Sequence, residues 1–240
     1  VSAENNSQSH VVVYPARGLI YDRNGELLVS NQAAYDIMVV PNMVEDPDTS
    51  EFCRILEITP EDFTQRIQKA REYSTRVASI FMKQVRLEKA SVLQEKMYQF
   101  PGFYLQSRTL RTYSPPIASH VLGYVGEVDQ QILEDNDYYQ MGDYIGVIGI
   151  EKSYEEVLRG KKGLKIYLKD AHNRIIGSYE EGKYDIPVEV GKDIMITLDT
   201  DLQAYGEKLM EPFVGSIVAI EPESGEILSL VSSPSFPPDA

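Results

Sequence analysis

Apolar positions along this chain switch between two periods, and the switches mark its parts. From residue 11 to 41 apolar residues come in short β-type runs. Val11-Val12-Val13-Tyr14 is β-rich, and residues 18–22 and 26–30 flank Arg23-Asn24-Gly25. Asn-Gly supplies the positive φ angles of a tight turn, so a hairpin is predicted here. A further run at 35–40 stops at Pro41, and three consecutive strands predict a small antiparallel sheet.

The period then becomes helical. Asp48 stands three residues before Glu51 as a reciprocal N-cap, with Phe52, Ile55 and Leu56 on one face. Thr59-Pro60-Glu61-Asp62 is a second start signal, and Phe63, Ile67 and Ala70 continue its stripe. A third helix is predicted over 85–98, ended by Pro101-Gly102. Residues 103–113 read as a strand, Ser114-Pro115-Pro116 as a break, and 117–122 as a short helix. Residues 134–143 are acidic and aromatic but lack the order of a calcium loop, so they read as a solvated loop. A helix over 146–158 turns Ile148, Tyr154 and Leu158 inward, with Gly160 and Gly163 punctuating its end. A hairpin over 164–168 and 174–179, and a strand at 194–197, come next. Asp199 then caps a helix running to Met210, with Leu202, Tyr205 and Leu209 as its apolar face. Residues 216–220 and 226–231 close the chain as a hairpin about Pro222-Glu223-Ser224-Gly225. Strands and helices in this order give an α+β chain.

Composition narrows the function classes. The 240 residues carry a formal net charge of -14. That argues against nucleic acid and anionic headgroups, which need a basic face. Cys53 is the lone cysteine, so neither a disulfide framework nor a Cys-based zinc site forms within one chain. It fits a thiol-poor exported domain and a cytosolic domain equally. His10, His120 and His172 lie far apart, and neither a metal nor a cofactor is indicated. No apolar run reaches the roughly 18 residues that span a bilayer. The chain begins at Val1 without a basic or apolar leader, so it is soluble or has lost an upstream segment. Residues 1–10 read as a flexible lead-in; the sequon Asn5-Asn6-Ser7 carries no weight.

Three constellations bear on chemistry. In the first, Arg17-Gly18-Leu19-Ile20-Tyr21-Asp22-Arg23-Asn24-Gly25, alternation puts Arg17, Leu19 and Tyr21 on one side and Gly18, Ile20 and Asp22 on the other. It reads either as a surface hairpin with ordinary ion pairs or as a fixed polar joint. The second is Arg111-Thr112-Tyr113 with His120-Val121-Leu122-Gly123-Tyr124. No nucleophile motif accompanies His120, which favours a structural histidine. The third is Gly146-Val147-Ile148-Gly149-Ile150-Glu151 with Tyr154, Glu155, Leu158 and Arg159. Its spacing fits no nucleotide fingerprint, while Glu151 suits a helix start and a partner arginine from the hairpin.

In this order the three constellations resemble the non-catalytic N-terminal module of class B penicillin-binding proteins, most nearly the elongation type. Downstream, Gly191-Lys192-Asp193, Thr197-Leu198-Asp199, residues 215–222 and Ser233-Pro234-Ser235-Phe236 resemble the start of the transpeptidase domain of that family. The resemblance covers about residues 11–238. Ser114, Ile148 and Pro237 depart from the family pattern, the first two in loop detail. The transpeptidase motifs Ser-x-x-Lys, Ser-x-Asn and Lys-Ser/Thr-Gly are absent from these residues, so the chain is expected to lack activity.

The resemblance implies an elongated pedestal with antiparallel hairpins and a helical head subdomain, plus a terminal hairpin from a truncated transpeptidase domain. It implies a lead-in over 1–10 after a membrane helix and a pedestal over 11–190 with a helical insertion near 45–100. The transpeptidase start then falls at 191–240. The location it implies is periplasmic or extracytoplasmic on the inner membrane. The partners it implies are the elongation glycosyltransferase, scaffold proteins and the chain's own transpeptidase domain; a homodimer is a further option. Arg17, Asp22, Arg23 and Glu151 are expected to form a buried ionic cluster. The terminal hairpin is expected to dock on the helix after Asp199 or to pair with a second chain. Two rivals are the division-type protein of the same family and a complete glycan hydrolase using Asp135 and Asp137.

Overall fold

The structure is a computed structural model that describes residues 8–44, 49–169 and 175–237. The chain forms two compact units, Val1–Asn31 with Arg111–Ala240, and Gln32–Leu110. The expected N-cap at Asp48, the sequon, His172 and Arg174 lie outside the described residues.

The Gln32–Leu110 unit is built on phenylalanine. Helices Thr49–Leu56 and Pro60–Tyr73 turn Phe52, Phe63, Ile67 and Ala70 inward. Thr59 closes a full capping box with Asp62, as its spacing predicts. Phe52 is fully buried, with ring centroids 4.6–5.6 Å from Phe63, Phe81, Phe100 and Phe103. Such aromatic pairs add about 0.5–1.5 kcal/mol each beyond their buried area. Phe81 comes from the strand Ser79–Val85, which pairs antiparallel with the end of Leu27–Val39. The predicted helix over 85–98 is therefore shorter, Leu87–Lys96, because Val85 ends this strand. Arg108 Nε donates to Asp36 Oδ2 at 3.0 Å, a buried pair in this unit.

In the other unit the predicted hairpin forms between Ile20–Tyr21 and the start of Leu27–Val39. The strands expected at 26–30 and 35–40 are one 13-residue strand. Neither Asn31 nor Gln32 is a glycine or proline, and the strand continues through them. The three runs thus supply two strands, and the antiparallel sheet is completed by Ser79–Val85. Ile20–Tyr21 also takes Ile194–Met195 as a parallel neighbour. The β-rich start pairs elsewhere: Gln8–Val13 lies antiparallel to Gly163–Lys169, which also pairs with Ile175–Ser178. Ile20, Leu28, Val29, Tyr113, Ile117, Leu122, Leu158 and Leu198 form the core.

Two helix faces differ from their prediction. Residues 146–158 form two short helices, Gly149–Ser153 and Glu155–Leu158. Leu158 is buried as expected, but Ile148 and Tyr154 are exposed, and the inward stripe is Glu151, Glu155 and Leu158. In Thr200–Met210 the buried residues are Thr200, Gln203 and Gly206, whereas Leu202, Tyr205 and Leu209 face out. The inner face is small and polar because the hairpin strand Ile227–Ser233 packs closely on it. A Cβ on Gly206 would lie 2.9 Å from the Val231 side chain. Gln203 satisfies the hairpin by accepting from Leu230 N and Ser229 Oγ and donating to Leu230 O. The terminal hairpin, Gly215–Ile220 with Ile227–Ser233, thus docks on this helix, while Val218 and Ile220 stay exposed.

The 134–143 stretch is less solvated than its acidity suggests. Tyr139 and Asp143 are buried, Lys162 pairs with Asp143, and the Arg159 guanidinium lies 3.9 Å from the Tyr138 ring centroid. Among the described residues, no helix is long and apolar enough to cross a membrane.

Candidate functional site: an arginine–glutamate node on the hairpin

The hairpin at 17–26 makes polar contacts along both sides. Arg17 Nε donates to Glu151 Oε2 at 2.7 Å, and its Nη2 donates to Glu151 O at 3.0 Å and Glu155 Oε2 at 2.5 Å. From the strand Phe103–Tyr113, Arg111 Nε donates to Glu151 Oε1 at 2.8 Å and Nη1 to Asn31 Oδ1 at 3.0 Å. Glu151 is fully buried. Glu155 also accepts from Gly146 N at 2.9 Å and Tyr139 Oη at 3.0 Å. Two guanidinium groups thus face two carboxylates. Burial of unlike charges is tolerated only with such pairing and hydrogen bonding.

The electrostatics follow from that arrangement. Burial by itself lowers the pKa of Arg17, but the Glu155 hydrogen bond and the charges of Glu151 and Glu155 outweigh it, and the net shift is upward. In Arg111 burial dominates, and the Arg17 charge adds to it against the pull of Glu151, for a net downward shift. Both guanidinium groups stay charged at neutral pH. Burial and the Glu151 charge push the Tyr113 hydroxyl far above its ordinary value. The same causes, with Glu155 as the charge, push Tyr139 up to about 12.

Asp22 and Arg23 lie outside this cluster, which corrects the expected membership. Asp22 is fully buried and meets backbone N–H groups and a threonine hydroxyl in place of arginine. Its Oδ1 accepts from Asn24 N and Glu26 N, each at 2.8 Å, which fixes the Asn24-Gly25 turn. Its Oδ2 accepts from Thr200 N at 3.2 Å and Thr200 Oγ1 at 2.8 Å, at the start of the helix that Asp199 caps. Burial alone raises its pKa, yet these hydrogen bonds prevail and hold it below the usual carboxylate value. Arg23 reaches the terminal hairpin, 3.8 Å from Glu221 and 3.4 Å from Glu226. The backbone continues the joint: Gly18 N donates to Leu158 O, Gly191 N to Ala16 O and Arg23 N to Leu198 O. The Asn24 side chain adds a bond from Nδ2 to Asp199 Oδ2.

The motif glycines mark close backbone approach. A Cβ on Gly18 would lie 1.9 Å from Lys192 O, and one on Gly123 1.9 Å from Ile148 O. Gly123 also has φ 75° and ψ -157°, a region essentially reserved for glycine. Gly146 and Gly149 line the same junction. The structure therefore gathers Arg17, Gly18, Arg111, Tyr113, Gly123, Gly146, Gly149 and Glu151 around one joint. Asp22, Arg23, Asn24 and Gly25 form its second face, and His120 stands apart at the segment after Ser233. Glu155 and Asn31 were missed as partners. A signal for Glu155 was available: two glutamates at i,i+4 repel on an isolated helix, so they call for cations. Asp135 and Asp137, the carboxylates of the glycan-hydrolase rival, are both exposed.

Comparison with known proteins sets this geometry in a family. The family model of the penicillin-binding protein dimerisation domain matches residues 12–196. A peptidoglycan D,D-transpeptidase MrdA of Acinetobacter baumannii is 39% identical over 233 residues, 94% of this chain and 34% of its own length. The Escherichia coli K12 protein of that name is 34% identical over 242 residues, 95% of this chain and 37% of its own. The chain thus spans little more than a third of these curated relatives. A solved complex of penicillin-binding protein 2 and MreC from Helicobacter pylori superposes with a TM-score of 0.75 at 25% identity, covering 97% of this chain and 44% of that one. The matched stretch contains the whole hairpin and the arginine–glutamate node, and the chain belongs to the penicillin-binding protein dimerisation-domain family.

Proposed function

We propose that this chain is the non-catalytic pedestal of an elongation-type class B penicillin-binding protein, joined to the first elements of its transpeptidase domain at about residue 191. One observation carries the reading. The hairpin at 17–26 is held on one side by Glu151 and Glu155 and on the other, through Asp22, by the helix Thr200–Met210. That helix and the terminal hairpin leave Leu202, Tyr205, Leu209, Val218 and Ile220 exposed. An apolar surface of this kind on a rigid base calls for cover by further structure. In this reading the cover is the remainder of the transpeptidase, which cross-links peptidoglycan.

The MrdA relatives favour the elongation role over the division role. The proposed location is periplasmic, on the inner membrane through an upstream helix. The proposed partners are a scaffold protein of the MreC kind and the elongation glycosyltransferase. Fluorescent penicillin tests the division of labour: the 240-residue chain takes no covalent label, and the full-length protein takes it at one serine. Covalent labelling of the isolated chain would overturn the non-catalytic assignment. Immobilised MreC-type protein is expected to retain the chain, and no retention removes that partner.

A further inference from the structure

The arginine–glutamate node leaves one part of the sequence motif unexplained, the turn around His120. His120 is exposed, and its Nε2 lies 3.1 Å from Pro234 O. A carbonyl oxygen only accepts, so Nε2 carries the proton. The imidazole also meets the Phe236 ring edge-on, with centroids 4.9 Å apart at 89°. Tyr124 meets the same ring at 6.1 Å and 83°. One residue before the helix Ser119–Leu122, Ala118 N donates to Glu207 Oε1 at 2.6 Å. Glu207 belongs to the helix Thr200–Met210, so that helix and the segment after Ser233 converge on one turn. The turn itself is fixed from behind. Gly123 and Gly149 bring its backbone against the start of Gly149–Ser153, the helix that carries Glu151.

We propose that His120 is a positioning residue that latches segment 234–236 to the Ser119–Leu122 turn, and so sets the direction in which the polypeptide leaves the terminal hairpin. This rests on the pedestal reading for its consequence, because the departing segment then leads into the reactive part. Its contacts do not depend on that reading. Three features separate a latch from a chance surface contact. The partner fixes the imidazole tautomer, two aromatic rings grip one phenylalanine, and the turn is tied to both the Glu151 helix and Glu207. None of them requires His120 to touch a substrate.

The test has two arms. In the 240-residue chain, nitrogen-15 NMR should find the neutral imidazole of His120 as its Nε2–H tautomer, with nuclear Overhauser contacts from the ring to Phe236. The Nδ1–H tautomer, or no such contacts, overturns the latch. His120→Ala should release Ser235 and Phe236 into fast backbone motion, and His120→Gln, which keeps an N–H donor, should restore part of the order. In the full-length protein, His120→Ala should lower the rate of penicillin acylation about fivefold, the value of one neutral hydrogen bond, while the melting temperature falls by no more than about 4 °C. His120→Gln should recover part of that rate. Equal rates in all three proteins overturn the positioning role. A wild-type protein that takes no penicillin sinks the pedestal reading, and the NMR arm still decides the latch.

Discussion

Glu151 is the residue on which the joint depends most, and its removal has a calculable effect. Glu151→Ala leaves Arg17 with Glu155 and leaves Arg111 with the Asn31 side chain. Two guanidinium groups then face one carboxylate at a site where Glu151 was fully buried. Removing one member of a buried ion cluster costs about 3–5 kcal/mol, because its partner stays desolvated and uncompensated. For a unit of this size each kcal/mol moves the melting point by about 2–4 °C, so the expected fall is about 6–20 °C. Urea titration with unchanged m, alongside calorimetry, measures it. A cavity left by the lost side chain would also destabilise, so a double-mutant cycle is needed. Glu151→Met with Arg111→Met leaves the Arg17–Glu155 pair balanced. The double variant should therefore be more stable than the sum of the two losses implies, by at least about 2 kcal/mol. Additive losses, or a melting point within about 2 °C of wild type for Glu151→Ala, would refute the charge-balance argument.

Other consequences are equally measurable. Asp22→Asn turns an N–H donor toward Thr200 N, an unmet pair of donors that should cost about 1–3 kcal/mol in urea titration. The Asp22 pKa is depressed in the folded state, so its stabilising share is present above about pH 3.9, the unfolded value, and fades as pH falls through the folded value. Wild-type stability should accordingly decline more steeply below pH ~4 than that of Asp22→Asn, and parallel curves would contradict this. Gly123→Ala forces a Cβ to 1.9 Å from Ile148 O at a positive φ, and it should cost more than about 1–3 kcal/mol and unfold first around the Ser119–Leu122 turn. Gln203→Leu orphans Leu230 N and O, and hydrogen exchange should show the strand Ile227–Ser233 losing protection while Pro60–Tyr73 keeps it.

Much of the local structure was legible in the sequence. Thr59-Pro60-Glu61-Asp62 named its helix start, Asn24-Gly25 its turn and Asp199 its cap, because each signal acts within four residues. The strand Ser79–Val85 was missed, since a short apolar run beside helices carries no period of its own. The single strand Leu27–Val39 was split in two for a related reason: its alternation lapses at Asn31-Gln32, but nothing there bends the backbone.

By itself the sequence determined the α+β class, the family and the hairpin, and it offered Glu151 as a partner for a hairpin arginine without saying which one. Only the tertiary structure decided that Arg111 and Glu155 complete the node and that Asp22 serves the helix Thr200–Met210. It also decided that Leu202, Tyr205 and Leu209 face outward. The physical reason is range. Periodicity states which side chains share a face, but which face is buried depends on free energy gained against chain far away. Arg17 and Glu151 are 134 residues apart, and Asp22 and Thr200 178.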